Sequence, residues 1–479
     1  MPSIDRSSSE PFYRQVYTQI AEGIEAGLYP TGKKLPSIRE CARELGVSNT
    51  TIELAYQKLT AEGYITARRG SGYSVCKIET SLSKLATHSD VAYREALKQL
   101  KEAENERSQK LKLRYDFAYD AIDRSLFPLT PWARISREVF YMKGFEDALL
   151  YNDHQGLAEL RVQIAQYVSG EHDIACVPEQ ILVMPTTRDL ISAVTSLFDI
   201  TKSRFAMENP GYDEVASWLR LRGFDISWLP VSPYPHWKDM QDALEGARFV
   251  FVTPSCQFPT NQFMPLEMRR KLVEWARDHD AYIFDDEYGW EYLSGVTHMP
   301  ALAALDNAGR VVTVGTFSNV LSPAINLSFA VLPPQLMLKW QEKNRRSHSQ
   351  VPWQTQATMA TFIAEERLRT HIRKMRTAMA QKRTALIEAL EDYMGDSIEA
   401  IPGSGSLFVL IRTLDERDEA TLIEEARKND VVVYPTSQYW QGDVPADWRY
   451  VLVGYAGIAK ADIKPGIHAL ADAWGFATS

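Results

Sequence analysis

Apolar residues return every fourth position near the start of the chain, at Phe12, Val16, Ile20 and Ile24. That spacing lays one apolar stripe along a helix, so an amphipathic first helix is predicted, ending near Gly27. Pro30-Thr31-Gly32 marks a turn. Ser37 then caps a short second helix over Ile38–Leu45, which Gly46 terminates before Ser48 caps the next. The third helix, Asn49–Glu62, buries Ile52, Ala55, Tyr56 and Leu59 and carries Asn49, Thr50 and Thr51 on its first turn. Past Gly63 the residues favour strands: Tyr64–Ala67 pairs with Tyr73–Val75 around Arg68-Arg69-Gly70-Ser71-Gly72, a glycine-rich turn with two cations.

Residues 78–114 lose this patterning. The run AYREALKQLKEAENERSQKLKLR is polar, charge-rich and helix-prone with few core positions, which predicts a linker with a solvated helical part. From Tyr115 onward, apolar runs at Gln180–Met184, Arg204–Met207, Phe249–Thr253, Ala281–Asp285 and Val311–Val314 alternate with helical stretches. Such alternation predicts an α/β domain built on a mainly parallel sheet. Ser397–Arg412, Val431–Tyr434 and Tyr450–Tyr455 read as a smaller α+β subdomain. The expected division is therefore a winged helix-turn-helix at 1–77, a linker at 78–114 and a large α/β domain at 115–479.

Charge refines this division. The whole chain of 479 residues carries a formal net charge of −9, which excludes a protein coated along its length by nucleic acid. Residues 1–77, however, hold ten Lys/Arg against eight Asp/Glu, so a slightly basic module precedes an acidic body. DNA contact is thus expected at one end only. Cys41, Cys76, Cys176 and Cys256 lie far apart with no CxxC pair, which favours reduced thiols and gives no metal site. With a polar N-terminus and no apolar run of membrane-spanning length, a soluble cytoplasmic protein without membrane contact is expected.

Two short helices joined by a tight turn can present the second to a major groove. Asn49 suits adenine, the threonines suit phosphates or thymine methyls, and Arg68 and Arg69 suit the minor groove or phosphates. A surface helical hairpin with a solvated basic loop would show the same spacing. The string LPSIRECARELGVSNTTIELAYQKLTAEGYITARRGSGYSV resembles the DNA-binding domain of the GntR family along nearly its whole length. The resemblance implies a double-stranded DNA operator as partner, with Ser37, Arg39, Ser48, Asn49, Thr50, Thr51, Arg68, Arg69 and Gly70 as the candidate contacts. That family usually has arginine where Asn49 stands, a departure that bears on sequence specificity.

The segment richest in chemistry is VVTVGTFSNVLSPAINLSFAVLP, Val311–Pro333. It resembles the cofactor-lysine segment of fold-type I aminotransferases in the form carried by MocR-type regulators: Gly-Thr-Phe-Ser-Lys, a short loop, then Arg-Leu-Gly. In those proteins the lysine holds pyridoxal phosphate (PLP) as a Schiff base and the arginine binds its phosphate. Here Asn319, Asn326 and Ser328 stand at the lysine, arginine and glycine positions. A carboxamide cannot form an imine, because its nitrogen lone pair is delocalised into the carbonyl, and it brings no charge to a phosphate dianion.

Further motifs follow in the same order as in that family. The stretch from Tyr151 to Gly156 resembles the loop that sends a tyrosine into a partner subunit's site. Glu208-Asn209-Pro210-Gly211-Tyr212 resembles the E-x-P-G-Y turn, and TPSCQFPTNQFMPLEMRR the MocR signature T-P-S-H-Q-F-P-T-G. Within Asp285-Asp286-Glu287-Tyr288, the family pattern would set Asp286 on the PLP ring nitrogen and Tyr288 on its phenolic oxygen. Thr186-Thr187-Arg188 replaces a glycine-alanine-glutamine phosphate turn, with two hydroxyls and a guanidinium available to an anion. Ser318 belongs to the same wall, and Arg449 is a candidate for gripping a carboxylate.

The resemblance spans Tyr115–Trp474 and implies a multidomain fold: a winged helix-turn-helix plus a fold-type I aminotransferase-like α/β domain with a small α+β subdomain. It also implies a bacterial, homodimeric, DNA-binding transcription regulator whose second domain is a degenerate, non-catalytic sensing and dimerisation domain. The effector would be an amine, an amino acid or a PLP-like molecule. PLP is not expected as a Schiff base, while non-covalent PLP or a PLP adduct stays open. The alternatives are an active aminotransferase using another lysine, Lys271 and Lys339 being nearest in sequence, and an effector-independent DNA-binding dimer.

Overall fold

The N-terminal apolar stripe does form a helix, α1 (Phe12–Glu25), followed by α2 (Ile38–Leu45), α3 (Asn49–Ala61), β1 (Ile65–Arg68) and β2 (Gly72–Val75). The structure is a computed structural model that describes residues 4, 10–25, 27–68, 72–76, 95–102, 113–141, 145–150, 153–231, 236–292, 299–403 and 405–476. It divides into two compact units, Met1–Leu111 and Lys112–Ser479. In the first, Val16, Ile20, Ile52, Tyr56, Leu59 and Ile65 form a closed core. Phe12, at the first helical position, is 38% exposed, so the buried stripe begins at Val16 rather than at Phe12.

The turn between α2 and α3 is locally determined. Ser37 Oγ accepts the Glu40 N–H at 3.3 Å, while the Glu40 carboxylate accepts the Ser37 N–H at 3.4 Å, a reciprocal cap. Gly46 closes α2 at φ 62°, a left-handed conformation that costs glycine least. Ser48 Oγ then accepts the Thr51 N–H at 3.1 Å to start α3. The Tyr56 hydroxyl donates to Pro36 O at 3.1 Å and so ties α3 to the entry of α2. β1 and β2 pair antiparallel with Ile65 opposite Val75, and Lys34 bridges to Ser74. Of the expected linker, residues 95–102 form an exposed helix; residues 78–94 and 103–112 lie outside the described residues.

The second unit opens with β3 (Tyr115–Asp116) and continues through β4 (Ile181–Met184), β5 (Arg204–Asn209), β6 (Asp225–Pro230), β7 (Ala247–Val252), β8 (Tyr282–Asp286), β9 (Val311–Thr316) and β10 (Ser328–Val331). Seven of these strands form one sheet in the order β4-β10-β9-β8-β7-β5-β6. From β9 to β6 neighbours run parallel, whereas β10 is antiparallel to both β9 and β4. Along β7, Phe249 and Phe251 pack into one core and Val250 and Val252 into another. This alternation places helices against both faces and explains why the central strands read as continuous apolar runs. β6 escaped the sequence reading because it is an edge strand, DISWLP, most of which stays half-exposed or exposed.

The C-terminal strands are β11 (Ile398–Pro402), β12 (Phe408–Thr413), β13 (Val431–Val432), β14 (Tyr434–Pro435) and β15 (Val451–Gly454). Four of them make an antiparallel sheet, β11-β12-β15-β14, while β13 pairs parallel with β3. The stretch that begins the second unit is therefore completed by residues more than 300 positions later, with Tyr115 in register with Val431. Among the described residues no helix is long and apolar enough to cross a membrane, and no group of His, Cys, Asp and Glu could hold a metal ion.

Candidate functional site

In the first unit Arg39, Asn49 and Thr50 are exposed at the start of α2 and α3. Ser37 and Ser48 are engaged as caps, and Ser48 Oγ also lies 2.8 Å from Thr51 Oγ1, so these three residues shape the helix starts. The first turn of α3 thus presents backbone N–H groups, an exposed amide and an exposed hydroxyl together, a surface suited to phosphates and base edges. The side chain of Arg68, together with Arg69 and Gly70, lies outside the described residues.

In the second unit the C-terminal ends of β5, β7, β8 and β9 meet the start of β10 and the end of β4 at one sheet edge, where open α/β sheets bind ligands. A cavity of about 530 Å³ lies there. It brings together Thr186, Thr187, Arg188, Tyr212, Asp286, Tyr288, Ser318, Asn319 and Asn326, positions far apart in sequence. Tyr151 lies outside the described residues. Arg449 is not part of the cavity wall; its Nε donates to Ala446 O at 3.4 Å.

Each wall residue is held by its strand end. Thr186 caps the helix Thr187–Thr195, its Oγ1 accepting the Asp189 N–H at 3.2 Å and donating to Asp189 Oδ2 at 2.7 Å. Arg188 pairs with Glu214 at 3.8 Å, and Glu214 accepts the Tyr212 hydroxyl at 2.7 Å. After β9, Thr316 Oγ1 accepts the Ser318 N–H (3.2 Å) and the Ser328 hydroxyl (3.0 Å), which fixes the loop carrying Asn319. Asn319 Nδ2 donates to Glu291 at 3.4 Å, while its Oδ1 is buried with no hydrogen-bond partner among the described residues. Asn326 adopts φ 49°, the left-handed conformation that asparagine tolerates better than most residues. Gly289, at φ 80°, passes so close to Gly405 that an added Cβ would sit 2.5 Å from that residue's carbonyl oxygen.

Buried acids are concentrated at and beside Asp286 in the sequence and structure: Glu208, Asp285, Asp286, Glu287 and Glu291. Burial pushes the carboxyls of Asp286, Glu208 and Glu291 up to about 7. For Asp286 the carboxylates of Glu287 and Glu208 add to the effect. One fully buried guanidinium, Arg269, faces this group at 3.9 Å from Glu287, and it also donates to the Met264, Pro300 and Pro254 carbonyls. Among the described residues no lysine lines the cavity. Sequence reasoning missed Tyr119, Asp120, Asp213, Glu214, Phe258 and Tyr439, which are also part of the wall. Phe258 sat inside a recognised signature; Asp120 and Tyr439 reach the site only through long-range pairing and left no local signal.

Residues 118–452 match the family "Aminotransferase class I and II", and residues 12–75 match "Bacterial regulatory proteins, gntR family". A regulator of Bacillus subtilis (strain 168), "Uncharacterized HTH-type transcriptional regulator YhdI", is 30% identical over 99% of this chain and 98% of its own length. The chain belongs to the MocR-type transcriptional regulators. The "Probable rhizopine catabolism regulatory protein MocR" of Rhizobium meliloti is 28% identical over 98% of this chain and 95% of its own. Among solved structures, the alpha-aminoadipate aminotransferase LysN of Thermus thermophilus superposes with a TM-score of 0.67 at 23% identity, covering 77% of this chain and 94% of that one. The MocR-type body thus has the aminotransferase fold.

Proposed function

We propose that this MocR-type chain acts as a homodimeric DNA-binding regulator whose aminotransferase-like body senses a small molecule and performs no transamination. The observation that carries this reading is Asn319, a carboxamide on the cavity wall where the family's Schiff-base lysine is expected, with no lysine elsewhere in the described lining. An aminotransferase needs that amine both to hold its cofactor and to move the substrate's proton. Other lysines are committed elsewhere. Lys271 pairs with Glu267 at 2.6 Å, Lys339 lies 5.6 Å over the Phe198 ring, and buried Lys382 spends its donors on Asp123, Ala456 O and Ile458 O.

The residues present do not fit PLP. Asp286 and Tyr288 would suit a pyridinium ring, but the phosphate end is wrong in charge. Asn326 is neutral, and Arg188 is paired with Glu214, 3.8 Å away in the same wall. A phosphate dianion placed there would meet like charges. Sensing and dimerisation are the uses left to the body. Leu129, Tyr141, Leu149 and Leu150, 67–85% exposed along one stretch, support a surface that a second copy would cover. A ligand that binds one arrangement of the two modules better than another would then shift DNA affinity.

Selection from a random-sequence duplex pool, followed by gel shift at fixed salt, tests the reading. The expected product is a site with repeated half-sites. Arg39→Ala is expected to weaken binding to it by roughly tenfold or more, a base- or phosphate-contact loss of about 1–3 kcal/mol. Steady turnover of amino donors and 2-oxoglutarate by the same preparation supplied with PLP would overturn the non-catalytic assignment.

A further inference from the structure

We propose that Leu54, on the outward face of α3, reads the 5-methyl group of a thymine in the major groove and so sets part of the operator sequence. The proposal rests on the DNA-binding reading above and adds a specificity residue to the candidate contacts, which within α3 stop at Thr51. α3 buries Ile52, Ala55, Tyr56 and Leu59 against the rest of its unit. At about 100° per residue, the line opposite that face runs through Thr50, Leu54, Gln57 and Ala61, and all four are exposed. Leu54 is 47% exposed, whereas the other aliphatic side chains of the helix, Ile52 and Leu59, are fully buried. Leu54 falls in the N-terminal half of this 13-residue helix, the part that a helix-turn-helix holds over base edges.

The chemistry of the line names the base. A leucine side chain has no donor and no acceptor, so hydrogen bonds to phosphates and base edges are closed to it. Among the base edges of the major groove, the thymine 5-methyl is the apolar group that distinguishes one base from the others. Covering that methyl with Leu54 removes both from water, a gain that a polar side chain at this position lacks. The neighbours favour base edges over backbone. Glu53 and Gln57 are exposed, and among the described residues neither side chain has a hydrogen-bond or ion-pair partner. The Glu53 carboxylate is repelled by phosphates and accepts from base amino groups. Lys58, the cation of this helix, is held by Glu62 at 3.9 Å and lies 4.2 Å over the Tyr17 ring, so it does not draw the line onto the backbone.

The test uses the full chain and the duplex recovered by selection from the random-sequence pool. Each thymine of that site is replaced in turn by deoxyuridine, which keeps every base-pairing group and lacks only the 5-methyl. One thymine per half-site is expected to lose roughly fourfold in affinity on this exchange, about 0.8 kcal/mol for one methyl. Leu54→Ala is expected to bind the thymine site at least fourfold more weakly than the parent and to show no further loss when that methyl is removed. Leu54→Gln, of similar length but polar, is expected to lose the methyl dependence in the same way. Melting curves report that both variants fold, as expected for changes at an exposed position. The proposal is overturned if the selected half-site contains no thymine or if no deoxyuridine exchange weakens binding. It is also overturned if both folded variants lose as much as the parent at the same thymine, which would assign the methyl to a neighbour such as Thr50. A change in oligomeric state of folded Leu54→Ala, read by sedimentation, would overturn it too, by placing Leu54 between copies of the chain. A duplex bound tightly but indifferent to methyl removal ends this inference alone, whereas a chain that selects no duplex ends the DNA-binding reading and this inference with it.

Discussion

Exchanging Lys382 for Met is expected to lower the stability of the large unit by about 3–5 kcal/mol. Lys382 is 2% exposed on the helix Arg367–Tyr393, and its Nζ donates to Asp123 Oδ2 at 2.9 Å, Ala456 O at 3.1 Å and Ile458 O at 2.6 Å. Asp123 is 8% exposed and accepts further bonds from the N–H and hydroxyl of Ser125. Removing the ammonium strands a buried carboxylate and two carbonyls, each of which loses its donor. The ion pair itself is not the source of stability, since ordering two desolvated charges costs about what their attraction returns. Lys382→Met combined with Asp123→Leu should therefore recover much of the loss. Urea unfolding followed by tryptophan fluorescence measures both. A single mutant as stable as the parent, or a double mutant worse than the single, would contradict this reading.

Stability should also fall as pH rises from about 5 to about 8. Asp286, Glu208 and Glu291 are carboxyls pushed up to about 7, chiefly by burial. In the unfolded chain they ionise near the ordinary carboxylate value of about 4. Between those limits the folded protein keeps protons that the unfolded chain has released. The stability they contribute is therefore present below the unfolded value and lost as pH climbs through the folded one. A shift of this size is on the order of 4 kcal/mol for one group. The groups facing Asp286 are Glu287, Glu208, Tyr212 and Tyr288, all acids, and the nearby cations Arg188 and Arg269 are engaged by Glu214 and Glu287. Asp286→Asn should accordingly flatten the pH–stability profile and be more stable than the parent above about pH 7. Chemical denaturation at pH near 6 and near 8 reads both; superimposable profiles would contradict the assignment.

The fold was legible where local chemistry repeats. Ser37, Gly46 and Ser48 fixed the helix-turn-helix, because caps act within a turn of the residue that makes them. β-Branched runs announced the buried central strands, whereas β6 was invisible because an edge strand needs no continuous apolar run. The pairing of Tyr115 with Val431 had no local signature at all, being set by where the chain returns. At the site, motif order led to Asp286, Tyr288, Asn319 and Asn326, and these do share one cavity. Sequence could not supply the sign of the field. Asp120 and Glu214 look like ordinary surface acids until the topology turns them toward one wall, and Arg188 looks available until Glu214 is beside it.

The most direct measurement is covalent capture of the cofactor. The purified chain is saturated with PLP, reduced with borohydride, dialysed and digested, and its lysine-containing peptides are weighed by mass spectrometry. With Asn319 on the cavity wall and Lys382 tied to Asp123, no lysine is expected to carry a stoichiometric phosphopyridoxyl group. A single lysine fully modified, and protected from modification by an amino acid added beforehand, would contradict the sensor reading and restore an aminotransferase.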